Sequence, residues 1–136
     1  MTIDYGHWEC EHFNPDDYLG FVYVITNTVT GRQYIGQKQL HFKVKKKPLK
    51  GKVNKRHSTK ESDWRTYTGS SKSLNEDIEA IGKDKFTFKI IELCESKWEL
   101  NYIETKHIVK TDAVIKESYY NMYIGRVGCP PKNMIK

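Results

Sequence analysis

Two short segments dominated by β-branched and aromatic residues, "GFVYVIT" at 20–26 and "RQYIGQK" at 32–38, flank the turn-forming stretch "NTVTG". Such a pattern requires an antiparallel hairpin. With Tyr23 opposite Tyr34, Thr26 faces Gly31 and the loop is Asn27–Thr30, four residues, an ordinary hairpin length. Side chains alternate along a strand, so Tyr23 and Ile25 share a face with Tyr34 and Gly36, while Val22, Val24 and Ile35 take the other. Both tyrosines therefore come to one cross-strand site, beside a glycine that leaves room for close approach.

The remaining elements follow in order. Residues 1–18 read as an N-terminal extension that wraps the domain, with Trp8 and Phe13 as anchors and "NPDD" as a turn. Residues 39–66 hold few apolar side chains and include Pro48 and Gly51; they read as loop-like, with room for a short helix. The spacing of Leu74, Ile78 and Ile81 predicts a helix over about 72–81, with Ser73 and Glu76 at capping-box spacing and Gly82 as a stop. "FTFKIIEL" (86–93) is a third strand. Ser96 and Glu99 cap a second helix over about 97–110, with Leu100, Ile103, His107 and Ile108 on its inner stripe. The order β-β-loop-α-β-α gives a small α+β domain with a three-stranded antiparallel sheet flanked by helices. Its boundaries fall at about 19–126, with 39–66 as a basic insert and 127–136 as a C-terminal tail.

Charge is unevenly placed. Between Lys38 and Arg65 stand eleven Lys or Arg against two acids, a net +9 in a chain whose total is +6, so the rest is net acidic. Cations gathered in one segment are the footprint of phosphate-backbone contact, with a solvated lysine loop as the plainer alternative. Lys45, Lys46, Lys47, Lys52 and Lys55 are the candidate DNA contacts there. Ser70 and Ser71, just before a helix, suit capping or phosphate contact, and Lys72 at its start is a further candidate contact. No apolar run approaches a membrane span, and the first residues lack the pattern of a signal peptide. Three scattered cysteines argue against a disulfide framework and for a reducing compartment, hence a cytoplasmic protein.

Glu104, in "LNYIETKHI", flanks the apolar stripe of its helix and so reaches towards an interior or cleft position. The competing reading is a boundary glutamate paired with Lys97 or Lys106. Glu76, Asp77 and Glu79 read as ordinary helix surface. His7, Cys10, His12 and Cys129 do not match the paired-knuckle spacing of a structural zinc site.

Taken together, these pieces resemble the GIY-YIG nuclease family. Its two tripeptides correspond to Phe21-Val22-Tyr23 and Tyr34-Ile35-Gly36, with ten residues between the tyrosines; a glutamate on the helix after the third strand matches Glu104, and a late asparagine matches Asn121 in "YYNM". The span covered is roughly 20–125. The basic insert together with "DWRTYTGSSKSL" most resembles phage-encoded freestanding homing endonucleases of the family. Phe21 stands where the first tripeptide usually begins with Gly. The family's arginine, often followed by a histidine, has no single counterpart: Arg56 with His57, or Arg65 between Trp64 and Tyr67, fits the position, with Arg65 slightly preferred.

The resemblance implies a DNA endonuclease hydrolysing phosphodiester bonds with one divalent metal, Mg²⁺ or Mn²⁺, held by Glu104 as a hard oxygen ligand. It further implies a tyrosine, Tyr23 or Tyr34, as general base towards water, with Asn121 supporting the metal or the glutamate. A free tyrosine titrates about three units above neutrality, so the metal and nearby cations such as Lys38 and Arg65 are expected to favour its phenolate. Double-stranded DNA is the expected partner, with a second copy of the chain for double-strand cleavage. Two rivals remain: a binding module on the same scaffold that no longer cuts, and a small basic RNA- or ribosome-binding protein.

Overall fold

The computed structural model describes residues 2–46, 51, 56–125 and 127–134; the side chains of 43–46, 56–58 and 134 lie outside that description. Five strands and two helices follow one another as β1 (Gly20–Asn27), β2 (Gln33–Gln39), β3 (His41–Lys46), β4 (Arg56–Glu61), α1 (Lys72–Ile81), β5 (Phe86–Cys94) and α2 (Lys97–Lys110). β1 lies between β2 and β5 in a three-stranded antiparallel sheet, so β2 is an edge strand.

Alternation along β1 sends its side chains into two cores. Val22 and Ile35 meet Leu100 and Ile108 of α2 on one face; Phe21, Tyr23 and Ile25 meet Trp8, Phe13, Trp64 and Leu74 on the other. Trp8 and Phe13 are buried, and Asn14 caps the 3-10 turn Pro15–Asp17. The N-terminal segment also bonds the outer edge of β5, through Glu9 N to Phe88 O at 2.7 Å and Ile90 N to Glu9 O at 3.0 Å. Both helices match their expected spans. Ser96 caps α2 as read from sequence, whereas the cap of α1 is Ser71 and not Ser73: the Ser71 hydroxyl accepts from Leu74 N at 3.3 Å.

Two further sequence expectations are corrected. The hairpin register is displaced by two residues: Tyr23 lies opposite Gly36, and Tyr34 opposite Ile25. The cause is Asn27, which is fully buried at the end of β1. Its side-chain oxygen accepts from Val29 N and Thr30 N, and its own N–H bonds Arg32 O, so the chain reverses through Asn27–Arg32. A displacement of two leaves every side chain on its expected face. The second correction concerns 39–66. Instead of a loop, the basic insert is a second hairpin, with β3 and β4 paired antiparallel from His41↔Glu61 to Lys46↔Arg56, followed by a 3-10 turn at Trp64–Thr66. Its base is fastened where Leu40, fully buried, bonds Leu19 O through its N–H and accepts from Ser62 N.

Candidate active site

Tyr23 is 1% exposed, and its ring packs against Trp8 at 5.0 Å between centroids and against Tyr34 at 6.2 Å. Its hydroxyl reaches past two glycines. A Cβ at Gly36 would stand 2.4 Å from that oxygen, and one at Gly69 would stand 3.2 Å away. Gly69 also has φ +86°, a conformation that favours glycine. The register correction thus has chemical content: with Gly36 directly across the ladder, the ring of Tyr23 lies over bare backbone. Tyr34 is less enclosed, and its hydroxyl shares a hydrogen bond of 3.1 Å with Ser70 Oγ.

Glu104 comes to this place from the opposite face of the sheet, because β2 is an edge strand that α2 can reach around. Gln37 donates through Nε2 to Glu104 Oε1 at 3.1 Å and to Asn101 Oδ1 at 2.8 Å. Tyr34, Ser70, Ser71, Lys72, Glu104 and Asn121 together line one cavity of about 550 Å³ along the outer edge of β2. Burial pushes the Glu104 carboxyl up from its ordinary range, opposed by the Gln37 hydrogen bond and the charge of Lys97. A bond to Lys97 or Lys106 is not what holds it. Burial likewise pushes up both tyrosine hydroxyls; for Tyr23 the neighbouring Tyr34, Tyr67 and Glu104 add to the effect, and for Tyr34 the Ser70 bond opposes it.

The expected cations are spent elsewhere. Lys38 pairs with Asp63 Oδ1 at 2.7 Å, which lowers the Asp63 carboxyl, and lies 4.1 Å from the Tyr67 ring centroid. Arg65 donates through Nε to Asp4 O at 2.8 Å, pairs with Glu61 and covers the Trp64 ring. It pins the N-terminal segment and does not line the cavity. In the protein alone, then, desolvation and not a lowering by Lys38 or Arg65 governs the tyrosines. Arg56 and His57 pair by backbone with Lys46 and Lys45; the side chains of these four fall outside the described residues, as do Lys47, Lys52 and Lys55 altogether. Lys72, 3.9 Å from Glu76, is exposed at the cavity mouth.

Asn121 is buried, and both ends of its amide are taken: Oδ1 accepts from Ile35 N at 2.9 Å and Nδ2 donates to Ile35 O at 2.7 Å. It satisfies the free edge of the Tyr34-Ile35-Gly36 strand at Ile35. Sequence reasoning missed Gln37, although alternation places it on the face of Ile35, towards α2. It also missed Asp77, which accepts from the Tyr120 hydroxyl at 2.6 Å; no periodicity signals that contact.

A family model described as "Putative endonuclease segE, GIY-YIG domain" matches residues 5–124. The chain belongs to the GIY-YIG family. Among curated relatives, the "Putative endonuclease segE" of Enterobacteria phage T4 is 27% identical over 108 residues, covering 79% of this chain and 42% of that protein. The chain thus spans less than half the length of the curated relative it matches. No solved structure matches it. The GIY-YIG domain contains, among the described residues, no helix long and apolar enough to cross a membrane.

Proposed function

We propose that this GIY-YIG domain is a metal-dependent DNA endonuclease of the phage homing type, hydrolysing phosphodiester bonds by attack of water. The observation that carries the reading is the convergence of Tyr34 and Glu104 on one cavity from opposite faces of the sheet. A fold that only bound nucleic acid would have no use for a desolvated carboxylate beside two enclosed tyrosines.

Glu104 fits a divalent cation. It is a half-buried carboxylate whose charge is poorly compensated, and among the described residues only one of its oxygens accepts a hydrogen bond. A single carboxylate with one oxygen free suits Mg²⁺ or Mn²⁺, ions that take one or two carboxylates and keep several waters. Bound there, such a cation would supply charge neutralisation at the phosphate. Gln37 orients the carboxylate.

Tyr34 lines the cavity and is the better placed base: as phenolate it takes the proton of the attacking water as the new oxygen–phosphorus bond forms, while the phosphorus–oxygen bond on the far side breaks and the leaving oxygen takes a proton from solvent. Ser70 holds its hydroxyl in place, and Tyr23, more enclosed, positions it from behind. Because burial raises both hydroxyls, the phenolate is scarce near neutrality, and the rate is expected to climb with pH through the alkaline range. Lys72 and the first turn of α1 face the phosphate. Asn121 acts as a positioning residue for β2.

The test is cleavage of plasmid DNA with Mg²⁺, with and without chelator, by the wild type and by Glu104→Gln. The variant keeps shape and loses the anionic ligand, so it should bind DNA and leave it intact. Wild-type activity in the variant, or in chelator, would remove the carboxylate or the metal from the mechanism.

A further inference from the structure

The chain changes character at Asn121. Up to that residue it is fastened from several sides: Tyr120 N bonds Gln33 O at 2.8 Å, and the Tyr120 hydroxyl accepts from Asn27 Nδ2 at 3.1 Å. The Arg32 guanidinium lies 4.0 Å over the Tyr120 ring. The next two side chains are bare. Met122 is 71% exposed and Tyr123 80%, yet both line the cavity that holds Tyr34 and Glu104.

Single exposed apolar residues are ordinary on a protein surface. These two differ in place, since a multiply bonded anchor holds them at the mouth of a cleft. The same cavity is lined by Ser70, Ser71 and Lys72, two hydroxyls and an ammonium at the start of a helix. Part of its lining therefore suits a phosphate, and another part offers an aromatic face with a flexible thioether beside it. The two parts match the two halves of a nucleotide.

We propose that Tyr123, with Met122 beside it, is a stacking platform for an unpaired nucleobase next to the phosphate that is cut. The proposal deepens the nuclease reading and rests on it. A base within intact duplex has both faces covered by its neighbours, so the platform acts on DNA whose bases are opened beside the cut. Aromatic stacking accepts any base, because every base has a π-face. Tyr123 thus selects DNA structure and leaves sequence to other contacts.

The test uses the full chain carrying Glu104→Gln, so that DNA is held and not cut, alone and combined with Tyr123→Ala or Tyr123→Phe. Probes are a fully paired duplex and the same duplex with a short unpaired bubble carrying a fluorescent aminopurine. The parent should prefer the bubble and quench the aminopurine. Tyr123→Ala should weaken bubble binding by roughly 5- to 100-fold, restore the fluorescence and leave affinity for the paired duplex as it was. Tyr123→Phe, which keeps the ring, should behave as the parent. Equal affinity of parent and Tyr123→Ala for the bubble overturns the platform, as does an equal loss in Tyr123→Phe or a parent without preference for the bubble. None of these readings requires cleavage, so failure of wild-type protein to cut with Mg²⁺ is a separate result that counts against the nuclease reading itself.

Discussion

The two hairpins of this protein are built on different physical terms. β1–β2 has both faces against packed side chains, one under α2 and the other under Trp8 and Trp64. β3–β4 is a separate two-stranded ribbon, rich in lysine, held as a ladder and fastened at its base by Leu40 and Ser62. A buried hairpin must alternate apolar residues, and that leaves a period of two in the sequence. A two-stranded ribbon outside those cores has no such obligation, because its pairing is carried by backbone groups common to every residue. The first hairpin sets Tyr23 and Tyr34 in an enclosed setting; the second gathers lysine and arginine along the sequence.

The sharpest way to break this contrast is to change the first hairpin by single oxygen atoms. Tyr34→Phe and Tyr23→Phe keep the rings that fill the core and remove only the hydroxyls, so the melting temperature should hold. Single-turnover cleavage should fall by about 10²–10⁴-fold for a positioned acid–base group. The variant that lacks the base should also lose the rise of rate with pH. Wild-type rates in both would reduce the tyrosines to packing.

Neutralising Lys45, Lys46 and Lys47 together tests the second hairpin. Chemistry at saturating DNA should be unaffected. Affinity should fall, and the slope of log affinity against log[salt] should flatten by up to ~0.9 for each phosphate that the ribbon no longer neutralises. An unchanged slope would make the ribbon a solvated appendage.

The smallest expected effect sharpens the account of what encloses the tyrosine face. His7, next to Trp8 on the N-terminal segment, stacks on Phe88 with ring centroids 3.9 Å apart, and its nitrogens lack partners among the described residues. Burial, with the nearby charge of Lys83, holds its pKa down from 6.5 to about 4. The unfolded chain therefore takes up a proton between those values that the folded chain refuses. Stability is complete above the upper value and declines as pH falls towards the lower. In His7→Leu, which keeps an apolar group on Phe88, the melting temperature should drop less between neutral and acidic pH than in wild type. Parallel pH profiles would mean that His7 does not couple the segment to acid.

The hairpin faces, both helices, the Gly82 stop of the first, and the third strand were legible along the chain, because each rests on contacts or periodicities within a few residues. The order of the tyrosines, Glu104 and Asn121 along the chain likewise points to the family. Tertiary structure alone decided the rest. The buried amide of Asn27 moved the register by two and placed Gly36 under Tyr23, a consequence of burial that local turn statistics do not contain. Arg65, flanked by Trp64 and Tyr67, is held by the backbone of Asp4 in a segment 61 residues away, and by Glu61 four residues before it. Asn121 is occupied by the backbone of Ile35, because an edge strand must bond something and the returning chain supplies it. Sequence determined which groups were available; competition among distant partners for each hydrogen bond decided which were spent on the fold and which were left facing the cleft.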